Sequence, residues 1–382
     1  MQDLPLKLAQ SLEKRKQENA FRSLKQPSSL IDFSSNDYLG LASSEEIFEE
    51  SYRILEEFKL KKNGSTGSRL LSGNNNLFEN TEALLAIFHE TEAALLFNSG
   101  YDANLGVFGS IPQRRDIILY DELVHASIRD AISLSHAQAF KFKHNNLKHL
   151  KELLQKYSEN SNAEVYIATE SVFSMDGDLA PLKEISDLAE NFNAFLIVDE
   201  AHATGIFGKK GEGLVQKLNL EKQVFARINT FGKGIGAHGA VVLGSQKLKD
   251  FLINFARSFI YTTALSPHSI ATIFAAYKRL ESGASEINKL WKNINFFRSE
   301  IKKNKLETYF IESNSAIQCC ISPGNQKVKK VAFELEKSGF DVKPILSPTV
   351  PVGKERLRFC VHSYNSEKEI EELLKILAKA IR

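Results

Sequence analysis

Between residues 78 and 245 the chain alternates between two apolar patterns. Short, nearly continuous apolar runs ("AALLFNSG", "DIILYD", "AFKFKH", "EVYIATE", "AFLIVDE", "VFARINTF", "AVVLGS") read as short buried strands. Segments with a period near 3.6, such as "LFENTEALLAIFHE" and "PLKEISDLAENF", separate several of them, and Pro181 is predicted at a first helical position. "ANLGVFGSI" reads as a small-residue helix start. Strands alternating with helices predict a mainly parallel sheet covered on both sides. Upstream, residues 1–20 read as a helix, followed by the irregular "IDFSSNDYLGL". Downstream, two long helical patterns (268–283 and 287–303) lead into shorter elements and a last helix, "EIEELLKILAKAIR", with Ser366 and Glu369 as its capping box. The predicted organisation is an N-terminal helix and arm (1–44), a large α/β domain (45–285) and a small C-terminal α+β domain (286–382).

Composition narrows the class. The chain has 382 residues, 43% hydrophobic and 25% charged, as an ordinary globular protein does, and its length allows a large core. A net charge of +2 points to neither nucleic acid nor an anionic membrane as the main partner. The three cysteines, Cys319, Cys320 and Cys360, make no disulfide framework and, with no Cys/His cluster, no metal site is expected. The charged N-terminus carries no apolar signal region and no run is long enough to span a bilayer, so a soluble, cytoplasmic protein is expected.

One stretch concentrates the chemistry. "NTFGKGIGAHGAVVLGS" (229–245) places Lys233 in a glycine-rich turn between apolar runs. A phosphate-clamping lysine would suit the helicase-like "IVDEAH" at 197–202, but a P-loop needs GxxxxGK followed by Ser or Thr. The residue five before Gly232 is Arg227, and Gly234 follows the lysine; Lys209 and Lys354 also lack a following Ser or Thr. Gly234, Gly236 and Gly239 spell GxGxxG, yet they run into a strand rather than a helix, and no acid follows at the ribose distance. An NAD-dependent oxidoreductase is therefore a distant second class.

The third reading is a lysine amine that forms a Schiff base with the aldehyde of pyridoxal phosphate. That cofactor needs an acid at its pyridine nitrogen, and Asp199 ends a predicted strand where groups of open α/β sheets gather. His202 lies within reach of the ring's phenolic oxygen in such a scheme. Gly100 and Tyr101, in "FNSGYDAN", offer backbone amides at a helix start for the phosphate. His125, in "LVHAS", supplies a flat ring to stack. Each taken singly has an ordinary structural explanation: a cap, a turn, a surface lysine. Their order along the chain sets the group apart.

The chain resembles the pyridoxal-phosphate-dependent α-oxoamine synthases. "SSNDYLGL", "FNSGYDAN", "VHASIRDA", "TESVFSMDGDLAPL", "VDEAHATGIFG", "TFGKGIGAHGA", "IYTTALSP", "SPTVPVG" and "ERLRF" occur in family order over nearly the whole chain. The resemblance implies an aspartate-aminotransferase-like α/β fold (fold type I) and a homodimer with shared active sites. It implies that Lys233 is the Schiff-base lysine, that Asp199 meets the ring nitrogen and that His125 stacks on the ring. Ser174, His202, Thr230 and the Gly100–Tyr101 amides would also hold the cofactor, with Thr263 from the other subunit. Asn36 and Arg358 would take the amino-acid carboxylate, while Arg22 and Thr349 match substrate-contacting positions. The implied reaction joins an amino acid to an acyl thioester with loss of CO2. For the branch matched best the pair is L-alanine and a pimeloyl thioester, carried by coenzyme A or an acyl carrier protein, in biotin synthesis. Glycine with an acetyl group is the alternative. One position departs from the pattern: relatives often carry arginine three residues before the Thr of "PTVP", and here it is Leu346.

Overall fold

The computed structural model describes residues 3–24, 29–158, 163–283 and 285–382. They form two compact units. The larger comprises Asn36–Ser174 and Leu179–Asn288, and the smaller Met1–Ser35, Met175–Asp178 and Lys289–Arg382. Along the chain the strands are β1 (Ile31–Asp32), β2 (Ala93–Phe97), β3 (Ile117–Asp121), β4 (Gln138–Phe142), β5 (Val165–Glu170) and β6 (Phe195–Asp199). After them come β7 (Ala226–Thr230), β8 (Ala240–Gly244), β9 (Ile317–Ile321), β10 (Phe340–Asp341), β11 (Lys343–Ile345) and β12 (Arg356–Cys360).

In the larger unit the sheet order is β2-β8-β7-β6-β5-β3-β4. Only β8 runs against its neighbours; the pairs β3–β4, β3–β5, β5–β6 and β6–β7 are parallel. The mainly parallel α/β sheet expected from the apolar runs is thus present. Strands β2, β5 and β7 are buried at every residue, because helices cover both faces. On one face Val107 and Phe108, Ile128 and Ala131, and Leu248 and Leu252 come from three helices and close over Leu95, Ile118, Ile197, Ile228 and Val242. Each such aliphatic side chain contributes about 1.5–3 kcal/mol on burial. Edge strand β4 exposes Gln138 and Lys141, and a charged edge discourages pairing with another chain.

Side-chain caps start the helices where the sheet delivers the chain. Ser99 caps Gly100–Ser110, accepting from the Asp102 N–H at 3.0 Å, and Asn75 caps Asn76–Phe88. Pro181 sits one position earlier than predicted: at ψ 67° it is the N-cap of Leu182–Asn191, and its carbonyl accepts from the Ile185 N–H at 3.0 Å.

The smaller unit holds the antiparallel sheet β11-β12-β9 and the parallel pair β1–β10. Helix Glu367–Ile381 buries Ile370, Leu373, Leu374 and Leu377, and the Ser366–Glu369 capping box is formed. The N-terminal helix, Leu6–Gln17, has no buried residue. No helix among the described residues is long and apolar enough to cross a membrane.

Candidate active site

Parallel strands pointing the same way deliver their C-terminal residues to one edge of the sheet. Glu170 of β5 lies opposite Asp199 of β6, and Asp199 opposite Ile228 of β7, which ends two residues later at Thr230. Beyond that edge is a cavity of about 260 Å³ lined by, among others, Asn36, Gly100, Tyr101, His125, Asp199, Thr230 and Lys233. Seven of the residues singled out from the sequence are therefore brought together.

The glycines around Lys233 answer to close approach. At Gly236, where φ is +65°, a Cβ would come within 2.2 Å of the Ala42 backbone nitrogen, and at Gly234 within 2.6 Å of the Thr204 carbonyl oxygen. Backbone packed this tightly on both sides, with the Gly236 N–H donating to the Lys233 carbonyl at 2.9 Å, holds the lysine's Cα in place. Its amine lies 3.0 Å from Nε2 of His202. His202 Nδ1 lies 2.7 Å from the hydroxyl of Tyr38, which donates to Oδ1 of Asn36 at 3.1 Å. Since Tyr38 spends its proton on Asn36, the imidazole donates through Nδ1 and accepts through Nε2.

A second chain of hydrogen bonds runs from Asp199. Its Oδ2 accepts from Asn104 Nδ2 at 2.9 Å, and its Oδ1 accepts from the Ala201 N–H at 2.9 Å. Asn104 Nδ2 also donates to Ser127 Oγ at 3.0 Å, which leaves the Ser127 hydroxyl proton for His125 Nδ1, 2.8 Å away. The Ser127 backbone N–H reaches the same nitrogen at 3.2 Å. Two donors on Nδ1 make it an acceptor, so neutral His125 carries its proton on Nε2. Burial, then the neighbouring Lys233 charge, hold this imidazole below its ordinary pKa against the pull of Asp199.

Glu170 is the largest electrostatic surprise. It is only 2% exposed, lines the cavity, and accepts from the His125 backbone N–H, while its Oε1 has no partner among the described residues. Burial, then the Asp199 carboxylate, push its pKa well above the ordinary carboxylate value, outweighing Lys233. Of the acids at this edge of the sheet, Glu170 is the one whose neutral form is favoured.

The donor set fits pyridoxal phosphate. Among the described residues buried Thr230 Oγ1 and Asn104 Oδ1 have no partner, an amine and a carboxylate face the same space, and a helix of 11 residues begins at Gly100. A Cβ at Gly100 would sit 2.4 Å from Thr230 Cγ2, so that approach to the phosphate end stays open only to glycine. The remaining expected residues fall elsewhere. His202 and Ser174 are buried without lining the cavity; Thr263 is exposed. Arg22, Thr349 and Arg358 belong to the smaller unit, where Arg22 donates to Thr349 Oγ1 at 3.3 Å and Arg358 to Cys360 Sγ at 3.0 Å.

Sequence reasoning missed Glu170, Asn104, Ser127 and Tyr38. Glu170 carried the same signal as Asp199, an acid ending an apolar run. Ser127 is two residues beyond His125, whereas Asn104 and Tyr38 had no signal short of the fold. Glu200, the glutamate of "IVDEAH", does structural work: its Oε1 accepts from the Leu214 and Val215 N–H groups at 2.7 and 3.0 Å.

Comparisons with known proteins agree with this geometry. Residues 28–377 match the family model of class I and II aminotransferases. The 8-amino-7-oxononanoate synthase of Emericella nidulans is 43% identical over 371 residues, covering 92% of this chain and 89% of that one. A solved structure of SPT with PLP internal aldimine superposes with a TM-score of 0.89 at 25% identity, covering 98% and 96% of the two chains. The 8-amino-7-oxononanoate synthase of Francisella tularensis gives 0.76 at 29% identity, with 92% and 97% covered.

Proposed function

The chain belongs to the class I and II aminotransferase family, and on that premise we propose that it condenses L-alanine with a pimeloyl thioester to give 8-amino-7-oxononanoate, CO2 and the free thiol carrier, a step of biotin synthesis. The observation that carries this reading is the meeting of the Lys233 amine, the Asp199 carboxylate and the His125 ring at one cavity, in a chain 43% identical to a synthase of that name.

Pyridoxal phosphate, when bound, supplies a protonated ring that accepts the electron pair released at the substrate's α-carbon. Asp199 would hold the ring nitrogen, His125 would stack on the ring, and Ser174 and His202 would hydrogen-bond the ring substituents. The Gly100 and Tyr101 amides and the Thr230 hydroxyl would hold the phosphate, with Thr263 of a second copy. Nζ of Lys233 takes the α-proton of alanine, and His202, 3.0 Å away and itself held by Tyr38, orients that amine. His125, with its proton on Nε2, donates to the thioester carbonyl oxygen as the new carbon–carbon bond forms. Asn36 and Arg358 are assigned the amino-acid carboxylate, and Arg22 and Thr349 the acyl donor.

A homodimer suits the surface of the larger unit. Leu71 is 85% exposed and Tyr261 72% exposed, and their segments are joined by the Ala264 N–H donating to the Gly67 carbonyl at 3.0 Å. Large apolar side chains exposed on a surface call for a partner.

The test is direct. Incubation with pyridoxal phosphate should give a visible Schiff-base band, and borohydride should leave the cofactor's mass on the Lys233 peptide. Alanine with pimeloyl thioester should then release CO2 and thiol in equal amounts. No band and no fixed label would sink the cofactor assignment. A higher kcat/KM for glycine with acetyl-CoA would overturn the substrate pair and leave the family intact.

A further inference from the structure

His125 starts a helix that does not finish its own cap. It is the N-cap of helix Ala126–Leu134, at φ −54° and ψ 150°, and its ring Nδ1 accepts from the Ser127 N–H at 3.2 Å. Histidine is not one of the usual capping residues, which are Ser, Thr, Asp and Asn. At this position the bond from Ser127 ties the ring to the first helical turn and restricts its rotation about the side-chain torsions.

That bond is one half of a capping box. The other half is a Glu or Gln side chain, three residues after the cap, that reaches back to the cap residue's own N–H. Helix Glu367–Ile381 finds this partner in its own sequence, Glu369 for Ser366. In helix Ala126–Leu134 the third position is Ile128, which is buried in the core and has no acceptor to offer. The backbone N–H of His125 therefore needs an acceptor from elsewhere in the fold.

Strand β5 provides it. Tyr120 of β3 lies opposite Ala168 of β5, so the chain that leaves β3 toward His125 passes the end of β5, where Glu170 stands. The Glu170 carboxyl accepts from the His125 N–H; its Oε1 has no partner among the described residues, which makes Oε2 the acceptor. The charges around the imidazole are already mixed. Lys233 and Arg129 oppose a positive ring, and Asp199 and Asp130 favour one. Burial favours the neutral form of Glu170, so the acceptor reaches His125 without adding a further negative charge beside its ring.

Resting on the stacking and donor roles assigned to His125, we propose that Glu170 is a positioning residue that completes, from a neighbouring strand, the capping box of the helix that His125 begins. Ser127 fixes the ring through Nδ1 and Glu170 fixes the backbone from which the ring projects. Together they present Nε2–H to the cavity in one orientation.

Two substitutions separate this role from packing. Glu170→Gln keeps an acceptor oxygen in place, and Glu170→Met keeps the length and removes the acceptor. Cofactor-free full-length protein suffices for the first measurement, because NMR with labelled histidine reads both the exchange of the His125 amide and the tautomer of its ring. Wild type and Glu170→Gln should show a protected amide and the proton on Nε2. Glu170→Met should lower that protection about 10-fold, as expected for one hydrogen bond, and should shift the ring signals. In turnover, Glu170→Met should lower kcat about 10- to 100-fold with the KM for alanine little changed, and Glu170→Gln should recover most of the loss. If Glu170→Met does not fold, Glu170→Asp, whose acid is withdrawn by one methylene, takes its place with the same expected losses. A variant without the acceptor whose His125 amide and ring match wild type overturns the proposal, whatever its stability, and so does a Glu170→Gln as impaired as Glu170→Met. Wild type that turns over while His125 ignores these substitutions refutes this inference alone. Wild type in which His125 responds as expected, yet which condenses alanine with no pimeloyl thioester, refutes the reaction and leaves the contact standing.

Discussion

Nε2 of His202 lies 3.0 Å from Nζ of Lys233, and its other nitrogen lies 2.7 Å from the hydroxyl of Tyr38. The imidazole therefore joins the amine to a tyrosine 164 residues earlier in the chain, and the tyrosine's own donation to Asn36 decides which way the ring is protonated. Tyr38→Phe should keep the fold and leave His202 Nδ1–H without its acceptor. The expected result is a kcat lowered roughly 10- to 100-fold, the usual cost of losing an orienting partner, with a shifted pH profile. An unchanged pH–rate curve would show that the contact is packing only.

Asp199→Asn should retain the Asn104 contact in part but remove the carboxylate from the sheet edge. Exchange of the α-hydrogen of alanine for deuterium, followed by NMR, should slow by about 10²–10³ or more, as when one preorganised electrostatic contact is removed. Exchange within a few-fold of wild type would return Asp199 to the role of a cap for the Ala201 N–H.

Glu170 is expected to hold its proton above the ordinary carboxylate range. Because burial raises its folded-state pKa above the ordinary 4.5, the native protein holds this proton more tightly than the unfolded chain. Its favourable contribution is complete below 4.5 and is lost as pH rises through the raised value. Glu170→Gln mimics the neutral form and should remove that slope. In urea titrations from pH 5 to pH 9, the variant's stability relative to wild type should grow with pH. A constant difference would mean that Glu170 does not titrate abnormally.

Gly236→Ala tests the turn that carries Lys233. A methyl at φ +65°, with its carbon 2.2 Å from the Ala42 nitrogen, forces the backbone apart. A loss of about 1–3 kcal/mol in denaturant unfolding is expected, together with weaker labelling of Lys233 by pyridoxal phosphate and borohydride. Gly109→Ala, where a Cβ meets nothing within 4 Å, is the control and should unfold near wild type.

By itself the sequence determined the elements and the reactive groups. Each run read as a strand in the large sheet is one, because helices over both faces demand apolar side chains at nearly every position of the inner strands, and even edge strand β4 keeps part of that mark. Lys233, Asp199 and His125 were legible for a similar reason: few other residue types provide an amine, a carboxylate and a flat ring at strand ends. The tertiary structure alone decided which strands are neighbours. Adjacency of β5, β6 and β7 sets Glu170 beside Asp199, and burial with that closeness raises the pKa of Glu170. It also decided the links from Asp199 through Asn104 and Ser127 to His125, and from Lys233 through His202 to Tyr38. Periodicity records what each residue does toward solvent, one residue at a time. A hydrogen bond or a perturbed charge depends on two residues whose distance is set by the whole path of the chain between them.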